Sequence, residues 1–242
     1  MRLPRIHQPG PLNPGTIVEL DAGAANHVAR VLRLAPGAAL RLFNGEGGEY
    51  DATLHEVGKR NVTVRVAVHH AREAESPLAI TLAQGIAKGE RMDYAIQKAT
   101  ELGVVRVVPI ITDRCNVRLS DERWEKKLHH WQAVAISACE QCGRNRIPVI
   151  EQPLTLPAWL AQDQNELRLT LDPQATGGVA TITETPQQLS LLVGPEGGLS
   201  DAELSAAQRA GYRGIRLGPR VLRTETAGTA ALAILQAHWG DL

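Results

Sequence analysis

The pentapeptide Gly194-Pro195-Glu196-Gly197-Gly198 constrains this chain more than any other stretch, because neither a strand nor a regular helix runs through it. Before it lies the short apolar run 189–193, LSLLV, which reads as a buried strand. After it, Ser200 and Glu203 stand at the spacing of a capping box. A helix therefore begins there, with its first amides and a partial positive dipole toward the loop. The glycines let the backbone approach a ligand with no Cβ in between. A second unit of the same kind follows. Residues 214–217 read as a strand, Gly218-Pro219 as a turn, and Arg220-Val221-Leu222-Arg223-Thr224-Glu225-Thr226-Ala227 leads into a helix. Two such strand ends in one parallel sheet meet at one pocket. So many polar groups in a segment of buried character need a use.

The loop is not a common nucleotide signature, since the chain holds neither G-x-G-x-x-G nor G-x-x-x-x-G-K-[ST]. It also lacks H-E-x-x-H and the G-x-S-x-G elbow. Cys139 and Cys142 have C-x-x-C spacing, but no second pair exists for a zinc site, and the motif closes a helix rather than opening one. Their reading is structural. With Cys115 they make three cysteines, which suits a reducing compartment. Trp124 and Trp131 read as packing residues on one helix.

From residue 78 onward, strands and helices alternate. Strands are expected at 79–84, 104–111, 167–171, 189–193 and 214–217, and helices at 90–102, 121–142 and 224–239. That alternation predicts a parallel sheet with helices on both faces. Residues 1 to about 70 read differently, as short alternating strands at 16–20, 39–43, 50–54 and 62–68 with one helix at 22–33. The polar run 69–77, HHAREAESP, reads as a linker. Two domains are expected, 1–72 and 73–242.

No apolar run reaches membrane-spanning length, and the proline-broken N-terminus does not look like a signal peptide, so a cytoplasmic protein is expected. The 26 basic and 26 acidic residues cancel, which is unusual for a free-standing nucleic-acid binder. The charge is segregated, however. Arg2, Arg5, Arg30, Arg33 and Arg41 gather early, and Arg114, Arg118, Arg144 and Arg146 lie mid-chain. Taken singly, each also reads as a solvated surface charge.

LLVGPEGGLS, LGPRVLRTETA, KGERMDYAIQKATELGV and ACEQCGRNRIP together resemble the bacterial 16S ribosomal RNA uracil-N3 methyltransferase family, which belongs to the SPOUT superfamily of knotted methyltransferases. The resemblance runs from MRLPRI to the last helix. It implies an α/β fold: a C-terminal parallel-sheet SPOUT domain with a deep trefoil knot, behind a small PUA-like β-barrel that binds RNA. It implies S-adenosylmethionine as cofactor, a homodimer, and 16S rRNA in the small ribosomal subunit as partner, methylated at N3 of one uridine. The cofactor's sulfonium already activates the methyl group, so no metal is expected. Three loops, 171–173, 194–198 and 217–224, are then expected around the cofactor. Its contacts would be Leu171, Val193, Gly194, Glu196, Gly197, Gly198, Leu217, Gly218, Val221, Leu222 and Thr224.

Arg223 and Glu225 are the catalytic candidates. The first would stabilise negative charge on the uracil; the second would take its proton or hold Arg223. An Arg223–Glu225 ion pair that only braces the loop is the structural alternative. Arg2, Arg5, Arg30, Arg33 and Arg144 are the RNA-binding candidates. Ile6 and His7 stand where the family usually has an aromatic residue, so base stacking is not expected there. Two other functions stay open: a SPOUT enzyme acting on another RNA position, and a non-catalytic RNA-binding protein of the same fold.

Overall fold

The computed structural model describes residues 3–58, 61–115 and 121–242, so Arg2 and Arg118 lie outside the described residues. The chain divides into two compact units. One comprises residues 1–75 with 136–147, and the other 76–135 with 148–242.

The first unit is a five-stranded sheet. Its strands are β1 (Arg5–His7), β2 (Ile17–Glu19), β3 (Ala39–Phe43), β4 (Glu49–Val57) and β5 (Val62–His70), in the order β1-β3-β4-β5-β2. β1 runs parallel to β3, and the remaining pairs are antiparallel. The period-two pattern places Val62, Val64 and Val66 in the core and leaves Arg65 exposed. Ile6, Leu40, Leu42 and Leu54 join them there.

Two expectations are corrected in this unit. β5 runs through His69 and His70, which pair with Tyr50 and Glu49 and so are not linker. The expected helix 22–33 is split: α1 (Ala22–Asn26), capped by Asp21, passes into a π-helical turn at His27–Val31. Arg33, at φ 52°, then ends it in the left-handed region. Cys139 is buried in this unit, and burial pushes its thiol up to about 12, which fits a structural cysteine.

Among the described residues, the second unit holds seven strands. They are β6 (Ala79–Gly85), β7 (Arg106–Ile111), β8 (Val149–Ile150), β9 (Leu154–Thr155), β10 (Leu167–Leu171), β11 (Gln188–Val193) and β12 (Arg213–Ile215). The order is β12-β10-β11-β6-β7-β8, with β9 also pairing β7, and every pair is parallel. A parallel sheet covered on both faces favours near-continuous apolar strands, and LSLLV in β11 supplies one interrupted only by Ser190. Leu189, Leu191, Leu192 and Val193 are all buried.

Helix α2 (Glu90–Glu101) buries Met92, Ala95, Ile96 and Ala99, the i, i+3, i+4, i+7 stripe, and Gly103 at φ 81° closes its C-terminal end. Helix α3 (Asp121–Cys142) contributes 121–135 to this unit, with Trp131 fully buried. The sequence reading missed α4 (Leu156–Gln162), which Thr155 caps. Helix α5 (Asp201–Arg209) carries the expected capping box, and α6 (Thr224–Trp239) ends the fold. The strand expected at 214–217 stops at Ile215, leaving Leu217 in the loop, and the one expected from 104 starts at Arg106. Among the described residues, no helix is long and apolar enough to cross a membrane.

Candidate active site

The C-terminal ends of β10, β11 and β12 open into one cavity of about 600 Å³. The loop after β11 forms its floor. Gly194 there lies so close to the loop's far side that a Cβ would sit 2.9 Å from the backbone of both Gly198 and Leu199. Gly198 stands at φ 68°, a conformation L-residues avoid, and its amide bonds Pro195 O at 2.8 Å. The loop is thus folded back on itself by backbone alone.

Side chains from neighbouring elements hold it there. Glu196 Oε1 accepts from the Lys88 amide and from Arg91 Nη1, both at 2.8 Å. Burial pushes the Glu196 carboxyl up, but these donors and its own amide outweigh burial and hold it below the usual carboxylate value. Arg114 Nη1 donates to Gly197 O at 2.8 Å. Thr224, the first residue of α6, donates to Gly194 O at 2.5 Å and accepts from Gln84 Nε2 at 3.0 Å. This last pair ties the β11 loop to the start of α6 and the end of β6.

Leu171, Val193, Gly194, Glu196, Gly197, Gly198, Leu217, Val221, Leu222 and Thr224 all line the cavity, as do Arg223 and Glu225. Gly218 does not, although it turns the same loop at φ 75°. Arg223 is exposed and joins none of the ion pairs among the described residues, so the bracing Arg223–Glu225 pair is not formed. The nearest cation to Glu225 is instead Arg91, with Nε 4.0 Å from Oε1. Glu225 Oε2 is buried in the cavity wall with no hydrogen-bond partner among the described residues. A buried carboxylate oxygen left without a donor is costly, and a ligand N–H would satisfy it.

The sequence reading did not place Arg91 or Arg114 at this site. Arg91 sits in KGERMD, a motif already singled out, but its partners lie more than a hundred positions away.

The RNA candidates fall into two sets. Arg30 and Arg33 are exposed and form no ion pair among the described residues. Arg5 and Arg144 are corrections. Arg5 is buried, bound to Glu49 and to Asn145 Oδ1 at 2.7 Å, and lies over the Phe43 ring. Arg144 is buried with its guanidinium on Glu75 at 2.6 Å and 2.8 Å. Both brace the first unit from inside, because a buried guanidinium must be paired.

Two family models match, an RNA methyltransferase domain over residues 74–236 and an RNA methyltransferase PUA domain over 20–67. The ribosomal RNA small subunit methyltransferase E of Buchnera aphidicola from Schizaphis graminum is 36% identical, covering 100% of this chain and 98% of its own. The chain belongs to the ribosomal RNA small subunit methyltransferase E family. A family member from Neisseria gonorrhoeae, solved bound to S-adenosyl methionine, superposes with a TM-score of 0.93 at 36% identity, covering 100% of both chains. A Legionella pneumophila protein solved with the cofactor SAM superposes with a TM-score of 0.98 at 45% identity, again over 100% of both chains.

Proposed function

We propose that this protein methylates N3 of one uridine in 16S ribosomal RNA of the small subunit, using S-adenosylmethionine. The observation that carries the reading is the buried, unpartnered Glu225 Oε2 in a cavity whose floor is bare glycine backbone. The cavity volume suits a ligand of cofactor size, and at Gly198 nothing nearer than Arg114 Nη1 at 3.9 Å stands where a side chain would, which leaves the backbone open to a close-lying ligand. Leu171, Val193, Gly194, Glu196, Gly197, Gly198, Leu217, Val221, Leu222 and Thr224 would hold the cofactor, with Gly218 shaping the loop. The S-adenosylmethionine carried by the two solved relatives supports the choice of ligand.

Bound there, S-adenosylmethionine supplies a methyl group already activated on a sulfonium. The chain's own task is the acceptor. N3 of uracil carries a proton and is a poor nucleophile until it leaves. Glu225 receives that proton, and its unspent oxygen is the acceptor it needs. Arg223, unpaired at the mouth, stabilises the negative charge that spreads onto the uracil oxygens. Arg91 stands beside Glu225 and keeps the Glu196 loop docked.

Arg2, Arg30 and Arg33 serve RNA capture in residues 1–72, read as a PUA-like barrel, and 73–242 forms the catalytic domain. A deep trefoil knot in 73–242 belongs to the same reading, as the family resemblance implies. A homodimer in the cytoplasm completes the reading, supported by Ile234 of α6 and Tyr94 of α2, both exposed.

The test is nucleoside mass spectrometry of small subunits incubated with enzyme and cofactor. 3-Methyluridine at one position is expected, and its absence rejects the reading. Glu225→Gln should slow single turnover by roughly 10²–10⁴-fold with cofactor affinity kept. An unchanged rate removes Glu225 from the chemistry.

A further inference from the structure

A second cavity lies within the first unit, about 310 Å³, lined by Leu3, Arg5, Arg41, Glu49 and Arg72. Its chemistry is unlike the first. One carboxylate, Glu49, is fully buried and faces three guanidiniums. Arg5 and Arg41 bind its two oxygens, and Arg72 Nη1 stands 3.5 Å away. Asp51 adds one more anion, at 3.2 Å from Arg41 Nε, but it is shared with His70 at 2.8 Å. Cationic groups therefore outnumber anionic ones around this cavity even with Asp51 counted.

The guanidiniums are not equivalent. Arg5 is the buried base, with its side chain 5% exposed. Arg41 and Arg72 form the mouth, 31% and 48% exposed. Arg72 is fixed by donating to Gly143 O at 3.1 Å, which leaves its Nε and Nη2 without hydrogen bonds to the described residues. Arg41 likewise keeps Nη2 unspent. A buried carboxylate that holds several arginines in place, while N–H groups still point outward, forms a preorganised cradle for a tetrahedral anion.

We propose that Arg41 and Arg72, held by Glu49 over the buried Arg5, bind one backbone phosphate of the RNA substrate. The inference rests on the RNA-methylating function proposed above and adds to it the contact that anchors the first unit. Neither arginine needs a base edge for this, so the contact positions the RNA without reading its sequence. It also answers how a chain of zero net charge holds RNA: a few guanidiniums are concentrated by one interior anion.

The experiment measures binding of wild type, Arg72→Gln, Arg72→Lys and Arg65→Gln to isolated small ribosomal subunits across a salt series. Arg65 is exposed on β5 away from the cavity and controls for the loss of one charge. Arg72 is half-exposed and leaves Glu49 paired by Arg5 and Arg41, so its replacement keeps the core intact. Each phosphate contact contributes ~0.7–0.9 to the slope of log K against log salt. Arg72→Gln is expected to lower the slope by about that amount, Arg72→Lys to keep most of it, and Arg65→Gln to leave it unchanged.

Equal slopes for wild type and Arg72→Gln overturn the proposal, as does an equal loss in Arg65→Gln. Inorganic phosphate, added at constant ionic strength, separates a free-anion site from an RNA contact. If it binds wild type with no slope change in Arg72→Gln, the cavity is a small-anion site and the RNA assignment falls. Wild-type binding and methylation of the same subunits test the broader function, so the two failures are told apart.

Discussion

The two glycines that shape the loop after β11 predict different penalties, and the difference comes from geometry. Replace each with alanine. At Gly198 the added Cβ meets nothing nearer than Arg114 Nη1 at 3.9 Å, so there is no collision. What remains is the left-handed backbone at φ 68°, which costs an L-residue ~1–2 kcal/mol. At Gly194 the strain is absent, but the Cβ lies 2.9 Å from Gly198 C and Leu199 N, distances real Cβ atoms do not show. Both clashing atoms are backbone, so the loop itself must open by several tenths of an ångström. That moves Gly197 and Gly198 together and breaks the Thr224–Gly194 bond.

Calorimetric titration with S-adenosylmethionine, beside thermal unfolding of each variant, reads out both effects. Gly198→Ala should lower the stability of the loaded protein by ~1–2 kcal/mol, a fall in Tm of roughly 2–8 °C for a chain of this size. Gly194→Ala should bind cofactor at least about tenfold more weakly than Gly198→Ala, a difference of ~1.4 kcal/mol. Equal affinities in two folded variants would refute the collision argument. Wild-type affinity in both would remove the loop from the pocket.

Three further outcomes follow from groups outside the reaction. Glu196 has a depressed carboxyl, so the loop docking it provides is present above the ordinary carboxylate value and is lost as pH falls through its lowered value. Unfolding followed between about pH 5 and pH 3 should show less acid sensitivity in Glu196→Gln, and identical pH dependence would sink the assignment. Cys139, buried and held up to about 12, should resist alkylation in the native protein while half-buried Cys115 and Cys142 react first; peptide mapping decides it. Asp163 accepts from Tyr212 at 2.5 Å and from Ser190 at 2.9 Å, and Tyr212 accepts from Trp159 Nε1 at 2.7 Å. Tyr212→Phe strips both Asp163 Oδ2 and the indole of a partner and should destabilise by ~1–3 kcal/mol in denaturant melts.

What the sequence made legible was local. β6 and β11 are mostly apolar because a parallel strand is covered on both faces, with Thr81, Gln84 and Ser190 buried among the apolar residues, and Ser200–Glu203 and Gly194–Gly198 carry their conformations in neighbouring residues. β1, β8 and β9 span three, two and two residues, too few for a period to register. β5 extends past Val68 because His69 and His70 find backbone partners on β4, which side-chain pattern does not report. The arginines show the same limit from another side. Nothing in the sequence separates Arg5 and Arg144, turned inward to Glu49 and Glu75, from Arg30 and Arg33, turned outward. The anion that claims each one is chosen by the tertiary fold. Arg91 stayed hidden for that reason too, since Glu196 and Glu225 reach it only across the sheet's end.

The capping box at the start of α5 changes what that helix end presents to the pocket. A glycine loop leading into a helix suggests free amides and a positive dipole offered to a ligand, the arrangement that binds phosphate. Here the Ser200 and Glu203 amides are taken up by the capping box itself. Ser200 Oγ accepts from Glu203 N at 3.2 Å, Glu203 Oε2 accepts from Ser200 N at 2.8 Å, and Glu203 Oε1 takes the Asp113 amide at 2.8 Å. Asp201 and Glu203 also place two carboxylates in the first turn, which offsets the dipole locally. Asp201 lines the cavity, and Glu225 keeps an unspent oxygen there. The pocket meets the starts of both α5 and α6, at Asp201 and Thr224. It offers loop backbone and carboxylate oxygen, which suit a ligand that carries positive charge at its reacting centre and an acceptor base that must lose a proton.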